Sequence, residues 1–294
     1  MNEGKAHQIR GDRRDGTYVW NPEIELAVEV ALATGRPLLL RGATGAGKSS
    51  LAMAEAKKRK WRYYEQTITS RTQARELLWE IDQIARLQDA KAGGAGSIRK
   101  YVRPGILWWA INRGSAKAYA PDAVDPNINR HENGEAVEHE RAVVLLDEID
   151  KADPDVPNNL LVPLGSYRFQ IEETVEPIRL ERAEPPLIII TSNGERELPP
   201  AFLRRCVEYY IKDADETRLV DIAEKHFPDL ERAKLESIRD AIVAAKPRDW
   251  KGAPLPSPAE LIDCVNAVEG LPQQTPEAIA RLVVWKSSAQ ERVV

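Results

Sequence analysis

The sequence predicts an α/β protein with a parallel sheet and crossover helices, followed by a helical C-terminal region. Up to residue 211, short apolar runs typical of β-strands alternate with helical patterns. After the KDAD stretch at 212–215 the strand-like runs stop and only helical patterns follow. We therefore predict a sheet-containing domain over 1–211 and a helical domain over 212–294.

Five runs have the composition of buried strands, namely 37–41, 61–66, 142–147, 187–191 and 206–211. Between the second and third runs, apolar residues recur at a period near 3.6, which predicts one helix over 73–89. The inward face of this helix would consist of Ala74, Leu77, Leu78, Ile81, Ile84 and Ala85. A second helix is predicted from Pro104 to about Asn112, with proline at a tolerated first-turn position.

The remaining segments have weaker patterns. A hairpin is predicted from 167–171 and 176–180 around a turn at 172–175, and the polar segment 115–140 is expected to be a mobile surface loop, with a substrate-engaging loop as the alternative. Helices are predicted over 216–226, 230–245, 257–269 and 275–286. The helix predicted over 257–269 begins with a capping-box pattern, because its first serine is followed by a proline and, three residues after the serine, by a glutamate.

Composition limits the class of protein. The 294 residues carry 42 Lys and Arg against 46 Asp and Glu, a net charge of −4, which disfavours a nucleic-acid partner. Two cysteines, Cys206 and Cys264, cannot build a disulfide framework. No apolar run approaches the roughly 20 residues that span a bilayer, and residues 1–14 do not resemble a secretory signal. We expect a cytoplasmic protein without membrane insertion.

A glycine-rich segment follows the first apolar run and precedes a helical pattern. Residues 42–49 (GATGAGKS) fit the phosphate-loop pattern G-x-x-x-x-G-K-[ST] in the context that this pattern requires. Its backbone N–H groups would bind phosphate oxygens, Lys48 would reach the β- and γ-phosphates of ATP, and the Ser49 hydroxyl would bind Mg²⁺. The candidate nucleotide-binding residues are Gly42, Ala43, Thr44, Gly45, Ala46, Gly47, Lys48, Ser49 and Ser50. The alternative is an ordinary glycine-rich turn.

The third apolar run ends in two carboxylates, Asp147 and Glu148. Ligands bind in open α/β sheets at the carboxyl ends of parallel strands, which is where these residues would lie. Asp147 would hold Mg²⁺ through water, and Glu148 would polarise the attacking water as general base. The alternative is a solvated acidic turn.

The fourth apolar run ends at Thr191, and Ser192 and Asn193 follow it. If this strand neighbours the acidic one, the Asn193 amide would orient the attacking water or contact the γ-phosphate. The alternative is a capping asparagine in an Asn-Gly turn.

Together these motifs resemble the AAA+ ATPases and, within them, the MoxR-like group. The resemblance extends over about 270 residues from Asn21, with a Walker A loop at 42–49, a Walker B strand at 143–148 and the sensor 1 position at Asn193. Stretches similar to the group are SRTQARELL at 70–78, PGILWWA at 104–110 and LDEIDKA at 146–152. The resemblance implies a five-stranded αβα core, a helical lid, and ATP bound between subunits of a ring, usually a hexamer.

The resemblance also implies a catalytic arginine donated by a neighbouring subunit. The stretch LPPAFLRRC at 198–206 matches the segment that carries it, with Arg205 as first choice and Arg204 as second. The alternative is two surface cations at a helix end. The lid departs from many relatives, because Ala259 stands where they have an arginine that senses the γ-phosphate. Either the lid contacts ATP through another cation, with Arg248 and Lys251 as candidates, or it lacks that contact.

The motifs therefore predict a Mg²⁺-dependent ATPase, and the resemblance implies that it remodels or matures a protein partner in a chaperone-like manner. The MoxR-like group often acts with a von Willebrand factor A-type protein, so the resemblance implies such a client. The alternative is an ATP-gated oligomeric switch or scaffold that recruits an effector and hydrolyses ATP slowly.

Overall fold

The structure is a computed structural model that describes residues 17–94, 96–171, 178–179, 184–247 and 255–285. In chain order its helices and strands are α1 (Pro22–Thr34), β1 (Leu38–Arg41), α2 (Lys48–Arg59), β2 (Arg62–Thr67), α3 (Ala74–Leu78), β3 (Trp79–Ile81), α4 (Gln83–Lys91), β4 (Val102–Pro104), α5 (Ile106–Ile111), α6 (Arg113–Tyr119), β5 (Ala142–Asp147), α7 (Asp155–Asn159), α8 (Leu161–Ser166), β6 (Arg168–Phe169), β7 (Ile178–Arg179), β8 (Leu187–Ser192), α9 (Pro200–Leu203), β9 (Val207–Tyr210), α10 (Glu216–His226), α11 (Arg232–Ala244), α12 (Pro258–Gly270) and α13 (Pro276–Val283).

The described residues form two compact units. We name the first the sheet unit, formed by Asn21–Arg41 and Glu55–Tyr210, and the second the helical unit, formed by residues 17–20, Gly42–Ala54, 211–247 and 255–285. Each unit has its own hydrophobic core. The domain division at residue 211 that the sequence indicates stays a prediction.

The sheet unit contains the predicted five-stranded parallel sheet, with strand order β2-β5-β8-β1-β9. The central strands β5 and β8 are buried along their whole length, which explains why their sequences are continuous apolar runs rather than alternating ones. In their pairing, Leu146 lies opposite Ile190. The two strands whose ends carry polar motifs are therefore neighbours.

The prediction of a single helix over 73–89 is wrong. The chain instead forms α3, then β3, which pairs antiparallel with β4, and then α4. Asp82 restarts the helix as an N-cap, because its side chain accepts a hydrogen bond from the backbone N–H three residues on at 2.9 Å. Ile84, predicted to face inward, is 73% exposed. A period of 3.6 did not separate one long helix from two short helices joined by a strand.

The polar segment 115–140 is also more closely packed than the expected surface loop. Its Asn127 and Asn129 side chains are buried along the outer edge of β2. The Tyr63 N–H donates to Asn127 Oδ1 at 2.9 Å, and Asn129 Nδ2 donates to the Trp61 carbonyl at 2.8 Å. A polar side chain that hydrogen-bonds to backbone can be buried without a large cost, so a polar sequence here does not mean a solvated one.

Other local predictions differ in detail. The helix predicted from Pro104 begins at Ile106, because Pro104 pairs with Trp79 as the last residue of β4. The predicted hairpin forms between β6 and β7, which pair antiparallel, while its turn at 172–175 lies outside the described residues.

The helical unit contains α10 to α13 and the segment Gly42–Ala54. Its core is formed by apolar residues of these helices, among them Leu219, Ile242 and Val265. Helix α12 starts with the predicted capping box, in which the Ser257 side chain accepts from the Glu260 N–H and the Glu260 carboxylate accepts from the Ser257 N–H. Among the described residues, the longest apolar helices are still too short or too polar to cross a membrane.

Candidate nucleotide-binding site

The predicted phosphate loop joins the end of β1 to the start of α2. Gly42, Gly45 and Gly47 have φ angles of 145°, 80° and 90°, which L-residues with a side chain rarely adopt. A Cβ at Gly45 would come within 2.6 Å of the Ser257 hydroxyl oxygen and 3.2 Å of the Ala259 Cβ. The loop therefore depends on glycine at this position both for its backbone conformation and for space.

Lys48 is the first residue of α2, and it is only 7% exposed. Its Nζ donates to the carbonyl oxygens of Gly42 and Ala43, both at 2.8 Å, which holds the ammonium group inside the loop. Ser49 and Ser50 are half-buried in the first turn of the same helix. A buried cation beside the N–H groups of a helix start creates a strongly anion-attracting site.

A cavity of about 270 Å³ lies within the helical unit. It is lined by the phosphate loop, by Tyr18 and Val19, by α10, and by the start of α12. The Arg218 side chain donates to the Val19 carbonyl at 3.2 Å and also lines the cavity, as does the apolar side chain of Ile222. An apolar cavity next to a phosphate-binding loop suits a ligand that joins a flat ring to phosphates.

The sequence predicted no γ-phosphate sensor at position 259. Ala259 contacts the loop through its backbone, and its N–H donates to the Gly45 carbonyl at 3.4 Å. The replacement cations considered above, Arg248 and Lys251, lie outside the described residues. Arg218 is a cation that the sequence did not single out and that the structure brings to the same cavity.

In the sheet unit, Asp147 is the last residue of β5 and is 7% exposed. Glu148 follows it in a left-handed conformation with φ 62° and ψ 49°, which is rare for a residue with a side chain. The Thr191 hydroxyl donates to Asp147 Oδ1 at 2.6 Å and accepts from the Glu148 N–H at 2.8 Å. One hydroxyl of the neighbouring strand thus contacts both acidic residues.

Both oxygens of the Glu148 carboxylate have hydrogen-bond donors. Asn193 Nδ2 donates to Oε1 at 3.2 Å, and Lys151 Nζ donates to Oε2 at 2.8 Å. This bond to Glu148 raises the pKa of Lys151 above its usual value. The pairing of β5 with β8, on which the placement of Asn193 depends, is observed, while the catalytic role of Asn193 stays a prediction.

The turn that carries Asn193 is fixed by a buried carboxylate. Asp150 is 2% exposed, and its Oδ2 accepts from the N–H groups of Asn193 at 3.1 Å and Glu195 at 2.9 Å. The Asn193 side chain is therefore held next to Glu148 by the backbone as well as by its own hydrogen bond.

Arg204 and Arg205 follow α9, and both side chains are exposed. Arg205 Nη1 donates to the Ala201 carbonyl at 3.1 Å within its own helix end. The structure does not bring either arginine into the hydrogen-bonded group around Glu148 that is described above. Exposure is what an arginine that reaches another subunit requires, and the choice between the two stays a prediction.

Three residues of this group were not predicted, namely Thr191, Lys151 and Asp150. A weak signal exists for each of them. Thr191 is a polar residue near the end of an apolar strand, Lys151 stands three residues after Glu148, and Asp150 lies in the same acidic turn. None of these patterns alone identifies a hydrogen-bond partner.

Each unit, taken by itself, presents groups that fit one part of a nucleotide with its magnesium ion, namely the phosphate loop in the helical unit and Asp147 in the sheet unit. A Cβ would fill the space at Gly45, Lys48 supplies a buried cation for phosphate, and Asp147 supplies the hard carboxylate oxygens that Mg²⁺ prefers. A glycine loop of this geometry between a parallel strand and a helix, with carboxylates at the end of another strand of the same sheet, defines a P-loop nucleotide-binding protein.

The chain belongs to the AAA domain family, dynein-related subfamily, whose sequence profile matches residues 37–206. The matched segment includes the phosphate loop, the acidic strand end and Asn193. The protein is thus an AAA+ protein with nucleotide-dependent activity, and the more general part of the resemblance is confirmed.

Some solved structures are similar to the chain at low sequence identity. NtrX from Brucella abortus in complex with ADP has a TM-score of 0.50 and 13% identity, with 90% of this chain and 55% of that chain covered. Domain III of the replication initiation protein DnaA from Thermotoga maritima has a TM-score of 0.45 and 14% identity, with 95% of this chain and 98% of that chain covered. No curated protein is significantly similar to the chain.

Proposed function

We propose that the protein is a Mg²⁺-dependent, MoxR-like AAA+ ATPase of the cytoplasm that remodels or matures a protein partner in a chaperone-like manner. The proposal that the protein hydrolyses ATP rests on one hydrogen-bonded group. In this group Thr191 contacts Asp147 and Glu148, and Asn193 contacts the Glu148 carboxylate. A protein that only bound nucleotide would not need a carboxylate held in this way next to an amide.

The proposed roles are those that the sequence indicates. The phosphate loop binds the phosphates of ATP through its N–H groups and Lys48, and Ser49 and Asp147 are the magnesium ligands, Asp147 through water. When bound, Mg²⁺ neutralises charge on the phosphate oxygens. Glu148 accepts a proton from the attacking water, and Asn193 orients that water or the γ-phosphate.

The partners are part of the proposal. We propose a homo-oligomeric ring, a hexamer by the resemblance, in which Arg205 or Arg204 of one subunit reaches the ATP of the next. We further propose a protein client, with a von Willebrand factor A-type protein as the first to test. Two observations support this part, namely the exposure of both arginines and the family to which the chain belongs.

The decisive test is Glu148→Gln. The amide cannot accept the proton, so we expect kcat for ATP hydrolysis to fall by about 10²- to 10⁴-fold, with the affinity for ATP changed less than about threefold. Phosphate release and equilibrium binding of a fluorescent ATP analogue measure the two quantities. Glu132→Gln, at an exposed position, is the matched control and should behave as the wild type. Wild-type hydrolysis by Glu148→Gln would refute the assignment.

The shared site has a separate test. Arg205→Ala and Lys48→Ala subunits should each be inactive alone, and mixing them should restore part of the activity, because some interfaces would then combine an intact loop with an intact arginine. Mass measurement with and without ATP and Mg²⁺ shows whether a ring forms. No recovery in a mixed ring would count against Arg205 acting between subunits.

A second candidate function is an ATP-gated switch or scaffold with slow hydrolysis. The observation that favours it is Ala259, which lies against the phosphate loop, donates its N–H to the Gly45 carbonyl and has no cationic side chain to offer the γ-phosphate. Steady-state hydrolysis with and without a candidate client separates the two functions. A remodelling ATPase should turn over continuously and be stimulated by its client, whereas a switch should remain slow in both conditions.

A further inference from the structure

Thr191 is the fifth residue of β8, and it is 1% exposed. It lies one position beyond Ile190, which pairs with Leu146 in the neighbouring strand. The parallel register therefore brings its side chain to the end of β5, where Asp147 and Glu148 begin the acidic turn.

The hydrogen bonds of this hydroxyl leave it one orientation. A threonine hydroxyl has one proton to donate and lone pairs to accept with. Because the Glu148 N–H, 2.8 Å away, can only donate, the hydroxyl accepts from it with a lone pair and gives its own proton to Asp147 Oδ1 at 2.6 Å. The same atom is thus a donor to the proposed metal ligand and an acceptor for the backbone of the proposed general base.

The acceptor function matters because of the backbone of Glu148. At φ 62° and ψ 49°, Glu148 is in a conformation that must be held by its surroundings. The Thr191 hydroxyl holds the N–H end of this residue, and the Lys151 N–H donates to its carbonyl at 3.0 Å. This left-handed step directs the Glu148 side chain toward Asn193 and Lys151.

We propose that Thr191 is a positioning residue of the ATPase site, whose hydroxyl orients the magnesium-binding carboxylate of Asp147 and the backbone of the general base Glu148 together. The inference rests on the proposed function. It goes beyond that function by assigning a role to a residue that belongs neither to the phosphate loop nor to the acidic end of β5. Valine has nearly the shape of threonine but cannot make either bond, whereas serine can make both.

The experiment compares wild type with Thr191→Val and Thr191→Ser. For Thr191→Val we expect Mg²⁺ to improve the affinity for a fluorescent ATP analogue about tenfold less than in the wild type, with the affinity in EDTA unchanged. We also expect kcat to fall by about 100-fold, KM for Mg²⁺-ATP to rise by up to about the same tenfold as the loss of affinity, and the Glu148 amide to exchange its hydrogen faster. Thr191→Ser should remain within about threefold of the wild type in each measurement.

The outcomes separate positioning from mere packing. A Thr191→Val protein with a lower Tm but with wild-type magnesium dependence and Glu148 exchange would overturn the proposal, and so would a Thr191→Ser protein as defective as Thr191→Val. If Thr191→Val does not fold, Thr191→Ala provides the same comparison with Thr191→Ser. A wild type that binds Mg²⁺-ATP but does not hydrolyse it refutes the proposed function, while magnesium dependence and amide exchange still test Thr191. A wild type without any magnesium effect on affinity overturns the metal half of the proposal.

Discussion

The phosphate loop and the acidic end of β5 hold their functional groups by different means. The loop uses backbone conformation, with three glycines at positive φ and an ammonium group bound to loop carbonyls. The acidic end uses side chains from two strands and from the turn that follows each of them, among them Thr191, Asn193 and Lys151. A site held by backbone conformation is disturbed by any added atom, whereas a site held by side-chain hydrogen bonds is disturbed by changing the chemistry of one group.

Among the variants that compare the loop with the acidic end, the largest expected effect is on the loop, from Gly45→Ala. The new Cβ would require a left-handed conformation and would meet the Ser257 hydroxyl, so we expect ATP affinity to fall by about 10- to 100-fold. Isothermal titration calorimetry measures the ATP affinity. Gly165→Ala is the matched control, because an added Cβ there has no atom within 4 Å. Unchanged affinity in Gly45→Ala would show that the loop does not depend on its backbone conformation.

A smaller effect is expected at the acidic end from Asn193→Ala. Loss of the amide next to Glu148 should lower kcat by about tenfold with ATP affinity unchanged, because a hydrogen bond to a charged group is lost. Lys151→Met removes the donor to the other carboxylate oxygen, and since that ion pair is partly exposed to solvent, which screens it, the change should lower kcat by less than about fivefold. Equal losses in the two variants would contradict the distinction between these partners.

The smallest effect is expected from Ser257→Ala, which removes the side-chain cap of α12 next to the loop. Loss of an N-cap costs about 1 kcal/mol, so Tm should fall by a few degrees, while ATP affinity should change less than about threefold. Thr275→Ala removes the equivalent cap of α13 away from the loop and should lower stability alone. A loss of affinity as large as that of Gly45→Ala would make the cap, rather than the glycine, the main support of the loop.

The same contrast explains how much the sequence could predict. The phosphate loop is local, so its glycines, Lys48 and Ser49 form a contiguous pattern with a defined context. The buried strands β5 and β8 were also predictable, because strands covered on both faces are continuous apolar runs. The five-stranded parallel sheet followed from these runs and from the resemblance.

The missed features depend on partners distant in sequence. Thr191 contacts residues 44 and 43 positions earlier in the chain, and nothing near Thr191 specifies that contact. The break after Leu78 required the pairing of β3 with β4, more than twenty residues apart. Apolar periodicity indicates only which face is buried. It therefore predicted α3 correctly, but it also extended the helix beyond Leu78, where pairing with a distant strand replaces the helix.

The asparagines that pack beside β2 have a consequence for assembly. With Asn127 bound to the Tyr63 N–H, the Tyr63 carbonyl bound to the Ile128 N–H, and Asn129 bound to the Trp61 carbonyl, this edge of the sheet has its backbone groups occupied at those positions. A strand from another chain could not add there without displacing them, which protects the edge from aggregation by strand addition. In any oligomer that the protein forms, a neighbouring subunit therefore cannot pair a strand with this edge of the sheet at those positions.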